Sequence, residues 1–206
     1  MKLSPRTTAT FTLGLLTAAV LAGCATTAPS EQAPSPAVSV DRQAAGLMCD
    51  PAGIGDCGIG DIGPGGGVVF YDAGSVQPWG RFLEAGPALA RTEWCDDSTP
   101  SVAGTKEWIG SGKKNTELIA DACRSGAANT VSDYDGGGKN DWFLPSKDEL
   151  NELYKQRDSV GGFEKGYYWS SSQYGADAAW LQLFTNGNQD GSDKDGTLGV
   201  RPVRAF

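Results

Sequence analysis

Asp141-Trp-Phe-Leu-Pro-Ser-Lys-Asp-Glu-Leu-Asn-Glu-Leu-Tyr154 carries the sharpest structural signal in the chain. Ser146 is placed to cap a helix, and Glu149, three residues on, completes a capping box in which each residue accepts from the other's backbone. Leu150, Leu153 and Tyr154 then recur on one face, and Gly161-Gly162 ends the region. Working outward, a second helix is expected at about residues 115–125, with Leu118, Ile119 and Ala122 as its apolar stripe. Elsewhere helical periodicity is scarce. Residues 67–71, 81–85, 166–171, 179–185 and 200–206 read as short strands, with Asn186-Gly187 a strong turn signal. Strands, two helices and more strands predict an α+β domain with antiparallel pairing.

The N-terminus has a different character. Lys2 and Arg6 precede an apolar run at residues 11–21, which is shorter than the ~20 residues a membrane-spanning helix needs. A charged start, a short apolar core and small residues describe an export signal. Leu21-Ala22-Gly23-Cys24 resembles the lipobox of bacterial lipoproteins, which implies cleavage before Cys24 and acylation of that residue. The competing reading is an ordinary signal peptide with a chance cysteine. Several acyl chains on one residue anchor a protein stably. Residues 1–23 are therefore read as signal, 24–45 as a lipidated disordered tether poor in bulky apolar side chains, and 46–206 as one domain. The expected location is the outer face of a cell membrane. In a diderm cell it is the outer membrane, because Ala25 is not the aspartate that retains lipoproteins in the inner one.

Removing Lys2 and Arg6 moves the formal charge from −8 to −10, which argues against nucleic acid as a partner. With Cys24 set aside for lipid, Cys49, Cys57, Cys95 and Cys123 remain. An even number in an oxidising compartment suggests two disulfides. Of the three connectivities, Cys49–Cys57 and Cys95–Cys123 are favoured because each closes a local loop. A metal site is the alternative, although the chain has no histidine and no Cys-x-x-Cys pair.

The helix-capping stretch also belongs to a larger pattern. Tyr168-Trp-Ser-Ser-Ser172 follows it, then Ala179-Trp180, then the closing Val200-Arg-Pro-Val-Arg-Ala-Phe206. Near the start of the domain stands Ile59-Gly-Asp-Ile-Gly-Pro-Gly-Gly-Gly-Val-Val-Phe-Tyr71. In this order the motifs resemble the bacterial domain family named after the C-terminal domain of the collagen-like adhesin Lcl. The resemblance implies a C-type-lectin-like fold, related in architecture to formylglycine-generating enzymes. In such a fold short twisted strands surround two helices and the domain ends meet in one sheet, so residues 200–206 should pair near residues 68–71. The best-understood member is an adhesin for sulfated polysaccharides. The chain lacks the collagen-like repeat, so trimeric adhesion does not carry over.

The remaining motifs divide into chemistry and scaffold. Ser170, Ser171 and Ser172 have no histidine to activate them, and read as core residues closing a turn. Two Gly-x-Gly-x-x-Gly matches, at 53–58 and 58–63, lack the strand before and helix after that dinucleotide binding requires. Asp133, Asp135 and Asp141 in one acidic loop, and Asp190, Asp193 and Asp195 in another, offer oxygens of the kind calcium takes. The alternative is a solvated loop whose Asp and Asn residues serve turns. Trp142, Trp169 and Trp180 lie in the recognised motifs and are expected in the core. Trp79, Trp94 and Trp108 are the candidates for an exposed ligand surface. The expectation is a non-enzymatic surface adhesion module whose ligand is a glycan or a protein. The alternatives are an envelope enzyme or enzyme accessory of the formylglycine-generating type, and a structural envelope lipoprotein.

Overall fold

The structure is a computed structural model and describes residues 48–50, 57–96 and 101–206. The signal segment, the tether, Cys24 and most of the first Gly-x-Gly-x-x-Gly match lie outside the described residues. The elements in chain order are β1 (Val68–Gln77), β2 (Gly80–Ala85), β3 (Leu89–Thr92), α1 (Gly112–Ala122), α2 (Ala127–Ser132), α3 (Lys147–Lys155), α4 (Arg157–Val160), β4 (Tyr167–Gln173), β5 (Ala178–Leu183), β6 (Gln189–Asp193), β7 (Leu198–Val200) and β8 (Val203–Ala205). They form an α+β domain with a three-stranded sheet β1-β2-β8 and a five-stranded sheet β3-β7-β4-β5-β6. Pairing is antiparallel except between β4 and β7, which run parallel at Tyr168 and Gly199.

The capping box forms as read. The Ser146 hydroxyl accepts from the Glu149 amide, and the Glu149 carboxylate accepts from the Ser146 amide at 2.7 Å. Leu150 and Leu153 are fully buried beneath it. The other helix differs from expectation. It starts at Gly112 and stops at Ala122, because Cys123 leaves it in extended conformation to bond Cys95. Gly126, at φ 135°, then turns the chain into α2. A Cβ at Gly126 would sit 2.5 Å from the Trp94 carbonyl oxygen, so the turn requires glycine. Helices α2 and α4 are additions to the expected two, and both are too short to print a 3.6-residue period.

The terminal strand expected over 200–206 is two strands. Pro202 has no amide to donate, and the chain passes at Arg201-Pro202 from β7 in one sheet to β8 in the other. β8 lies beside β2, one strand from β1, with Glu84 opposite Arg204. The domain ends therefore share a sheet, as expected, though without direct contact between β8 and β1. β3 and β6 appear where no strand was read.

Two large apolar clusters and a small one of Cys49, Val69 and Phe82 fill the interior. Trp94, Trp142, Trp169, Ile119, Val131, Leu144 and Val200 belong to one. Phe70, Leu83, Phe143, Leu150, Leu153, Tyr168, Phe184 and Val203 belong to the other. The buried indoles keep their N–H groups satisfied: Trp94 donates to the Ser170 carbonyl at 2.7 Å and Trp169 to the Thr92 carbonyl at 3.0 Å, as burial of a polar edge demands.

Both disulfides take the expected pairing, Cys49–Cys57 and Cys95–Cys123. The glycine-rich motif wraps a buried acid. Gly65 and Gly67 donate backbone N–H groups to the Glu84 carboxylate at 2.9 Å. A Cβ at Gly63 would lie 2.5 Å from the same carboxylate. Arg204 completes the cage at 2.8 Å and also pairs with Asp141.

Candidate functional site

The tryptophans separate sharply. Trp142 and Trp169 are buried, as expected, but Trp94 is buried completely, with Lys194 over its ring at 4.8 Å. Trp94 is therefore part of the core and no ligand surface. Trp79 is half-buried, its indole lying against Gly110, where a Cβ would sit 2.1 Å from the ring. Trp108 is 59% exposed, with Lys106 above its ring at 5.5 Å. Trp180 is only partly buried, which corrects its assignment to the core.

The serines lie inside β4 and close no turn. All three are fully buried, and their hydroxyls fasten other elements. Asn115 donates to Ser171 at 3.2 Å. Ser172 accepts from the Lys147 amide at 3.0 Å and donates to the Lys106 carbonyl at 2.7 Å.

The six aspartates named as candidate calcium ligands are placed in different local settings. Asp133 caps the end of α2 and Asp135 precedes a 3₁₀ turn at Gly136–Gly138, while Asp141 is committed to Arg204. The second stretch is largely strand β6, which sends successive side chains to opposite faces. Asp190 there accepts from the Gly191 amide at 2.8 Å, and Asp193 and Asp195 are exposed. Among the described residues, one acidic or thiol trio brings its ligand atoms within 4.8 Å, Cys49, Cys57 and Asp61. Its two sulfurs are bonded to each other. Among the described residues, no three of these aspartates bring carboxylate oxygens within 4.8 Å of one another.

What the fold does assemble is an aromatic platform on the outer face of β5 and β6. Ala179 and Leu181 point inward from β5, so Trp180 between them points out. Its register partner on β6 is Gly191, and Tyr174 fills the space a side chain there would take, 2.6 Å from the Cβ position. Tyr174 is 55% exposed and meets Trp180 edge to face, with centroids 4.7 Å apart. That is a favoured aromatic geometry. The Trp180 N–H donates to Glu107 at 3.0 Å. Lys147 sits 3.5 Å above the Trp180 ring and reaches Glu107 at 2.8 Å. The hydrogen bond from Lys147 holds the Glu107 carboxyl below its ordinary value, so the rim keeps its charge. Gln189 braces the group by donating to the Lys147 carbonyl at 2.9 Å. The profile of the Lcl C-terminal domain matches residues 90–204, more than half the chain.

The chain belongs to the Lcl C-terminal domain family. No curated protein matches the chain. The match covers every residue of the platform and begins after β2, so the glycine cage around Glu84 lies outside the matched residues. Two features of this Lcl C-terminal domain escaped the sequence reading. Tyr174 and Trp180 were not named as ligand residues, although the alternation around Trp180 places it on the outer face. Glu149 was read as a cap alone. It is fully buried and also accepts from the Gly110 amide at 2.8 Å and the Gly112 amide at 3.4 Å, so it ties the loop bearing Glu107 and Trp108 to α3. Burial pushes its carboxyl up to about 7, against the pull of those amides.

Proposed function

We propose that this domain is a non-enzymatic, C-type-lectin-like binding module that holds a glycan on the Tyr174–Trp180 platform. The supporting observation is the edge-to-face pair of exposed Tyr174 and partly buried Trp180, bordered by an ion pair. Flat apolar rings match the C–H faces of a sugar, and Glu107 and Lys147 supply directional acceptor and donor groups at the rim. Screened on a glycan array with calcium and again with chelator, the protein should bind a saccharide equally in both buffers. Tyr174→Ala and Trp180→Ala should each weaken that signal by about tenfold. A signal that chelator abolishes, or that survives both substitutions, removes this reading of the site.

The lipobox at Cys24 and the composition of residues 24–45 support display of the module outside the cytoplasm on a lipid and a tether. Metabolic labelling with palmitate should tag the wild-type protein and leave Cys24→Ser unlabelled. Equal labelling of the two forms would move the anchor elsewhere.

A further inference from the structure

A second cavity shares no lining residue with the platform. Behind the β1–β2 turn, a cavity of about 160 Å³ is lined by Pro78, Trp79, Phe143, Ala205, Lys113 and Glu149, with Gly110 beneath the indole. Lys113 and Phe143 also line a neighbouring hollow of about 180 Å³ that holds Glu117 and Asp141. The charges around these two hollows are committed, with one exception. Glu117 is paired with Lys114 and Asp141 with Arg204. Glu149 is held by backbone amides. Lys113 forms no ion pair with any described residue, and it is exposed on α1.

We propose that the Trp79–Phe143 cavity is a binding site for a small organic monocarboxylate, its carboxylate on Lys113 and its apolar body against Trp79 and Phe143. The walls supply one cation and several apolar surfaces, which match a single negative charge on a compact hydrophobic body. The size fits, because an apolar cavity of about 150 Å³ accommodates one benzene ring. The acid in the cavity lining is compatible with such a guest in mildly acid solution. Its raised value leaves Glu149 largely uncharged at pH 6; it accepts from the amides of Gly110, Gly112 and Ser146 and shares the cavity lining with Lys113. Above pH 7 the ionised Glu149 repels the guest, so affinity falls as the pH rises.

The test is a titration of the full chain with sodium benzoate at pH 6, read by tryptophan fluorescence, with neutral benzamide and cationic benzylamine as matched probes. Benzoate should give a saturable change that Trp79→Phe removes. Benzamide should bind at least about tenfold more weakly, since it offers Lys113 no charge-assisted contact. Lys113→Ala should lose the same factor and Lys113→Arg should restore it. Lys113 is exposed, so these variants leave the fold intact. No saturable response, an equal or stronger response to benzamide or benzylamine, or unchanged benzoate affinity in Lys113→Ala overturns the proposal. The glycan platform shares no residue with this cavity, so either site can fail without the other.

Discussion

Glu84→Ala is expected to destabilise the domain by about 3–5 kcal/mol, the cost of breaking a buried charge network by removing one partner. The Glu84 carboxylate is fully buried. It accepts from Gly65 and Gly67 at 2.9 Å and from Arg204 at 2.8 Å. Alanine would leave two buried amides without an acceptor and Arg204 with Asp141 alone. It would also open space beside glycines at 63, 65 and 67 that are packed too tightly to accept a side chain. A domain of this size moves by roughly 2–4 °C for each kcal/mol, so the melting temperature should fall by about 10 °C. Glu84→Gln, which keeps one acceptor, should lose less. A drop below about 1 kcal/mol for the alanine variant would mean that water reaches these amides.

The second large effect is a dependence on pH. The folded Glu149 carboxyl titrates at about 7, against an ordinary 4.5. Below pH 4.5 both the folded and unfolded chains carry the proton and the group contributes no slope. Between 4.5 and 7 the unfolded chain ionises while the folded one does not, so stability declines as the pH rises, by on the order of 3 kcal/mol across the window. Asp72, Asp96 and Glu107 are shifted in the opposite direction and act at lower pH, where stability falls as acid is added. Thermal melts at pH 5, 6, 7 and 8 should show wild type losing stability towards neutral pH and Glu149→Gln remaining nearly flat. Parallel curves for the two proteins would place the titrating group elsewhere.

These two acids show what the chain discloses locally and what it withholds. The capping box at Ser146 and Glu149 was legible because both partners lie within one turn. The pairing of Asp141 with Arg204 spans 63 residues, and without it Asp141 reads as a free oxygen ligand. The same holds for Trp94, whose burial is decided by partners such as Ser170, 76 residues away. β6 was hidden for another reason. Its Gln-Asp-Gly-Ser-Asp sequence has no apolar alternation, and only pairing with β5 makes it a strand. The platform was half legible, since the alternation Ala179-Trp180-Leu181 turns Trp180 outward. Tyr174, Glu107 and Lys147 join it only through the fold. The disulfides were readable because each pair is close in sequence.

The placement of β8 bears on the order in which the molecule can be assembled. Glu84 and Arg204 face each other across 120 residues of chain, and the Phe206 amide and carbonyl are hydrogen-bonded to Phe82 and Arg81. A chain leaving a ribosome or a translocation pore N-terminus first presents the β1–β2 hairpin with one edge bare until residues 203–206 arrive. Long-range pairing of this kind is slow to form and exposes the chain to misassociation meanwhile. Arrival of residues 203–206 thus becomes the event that closes this sheet, and removing them would return a folded molecule to the open-edged state.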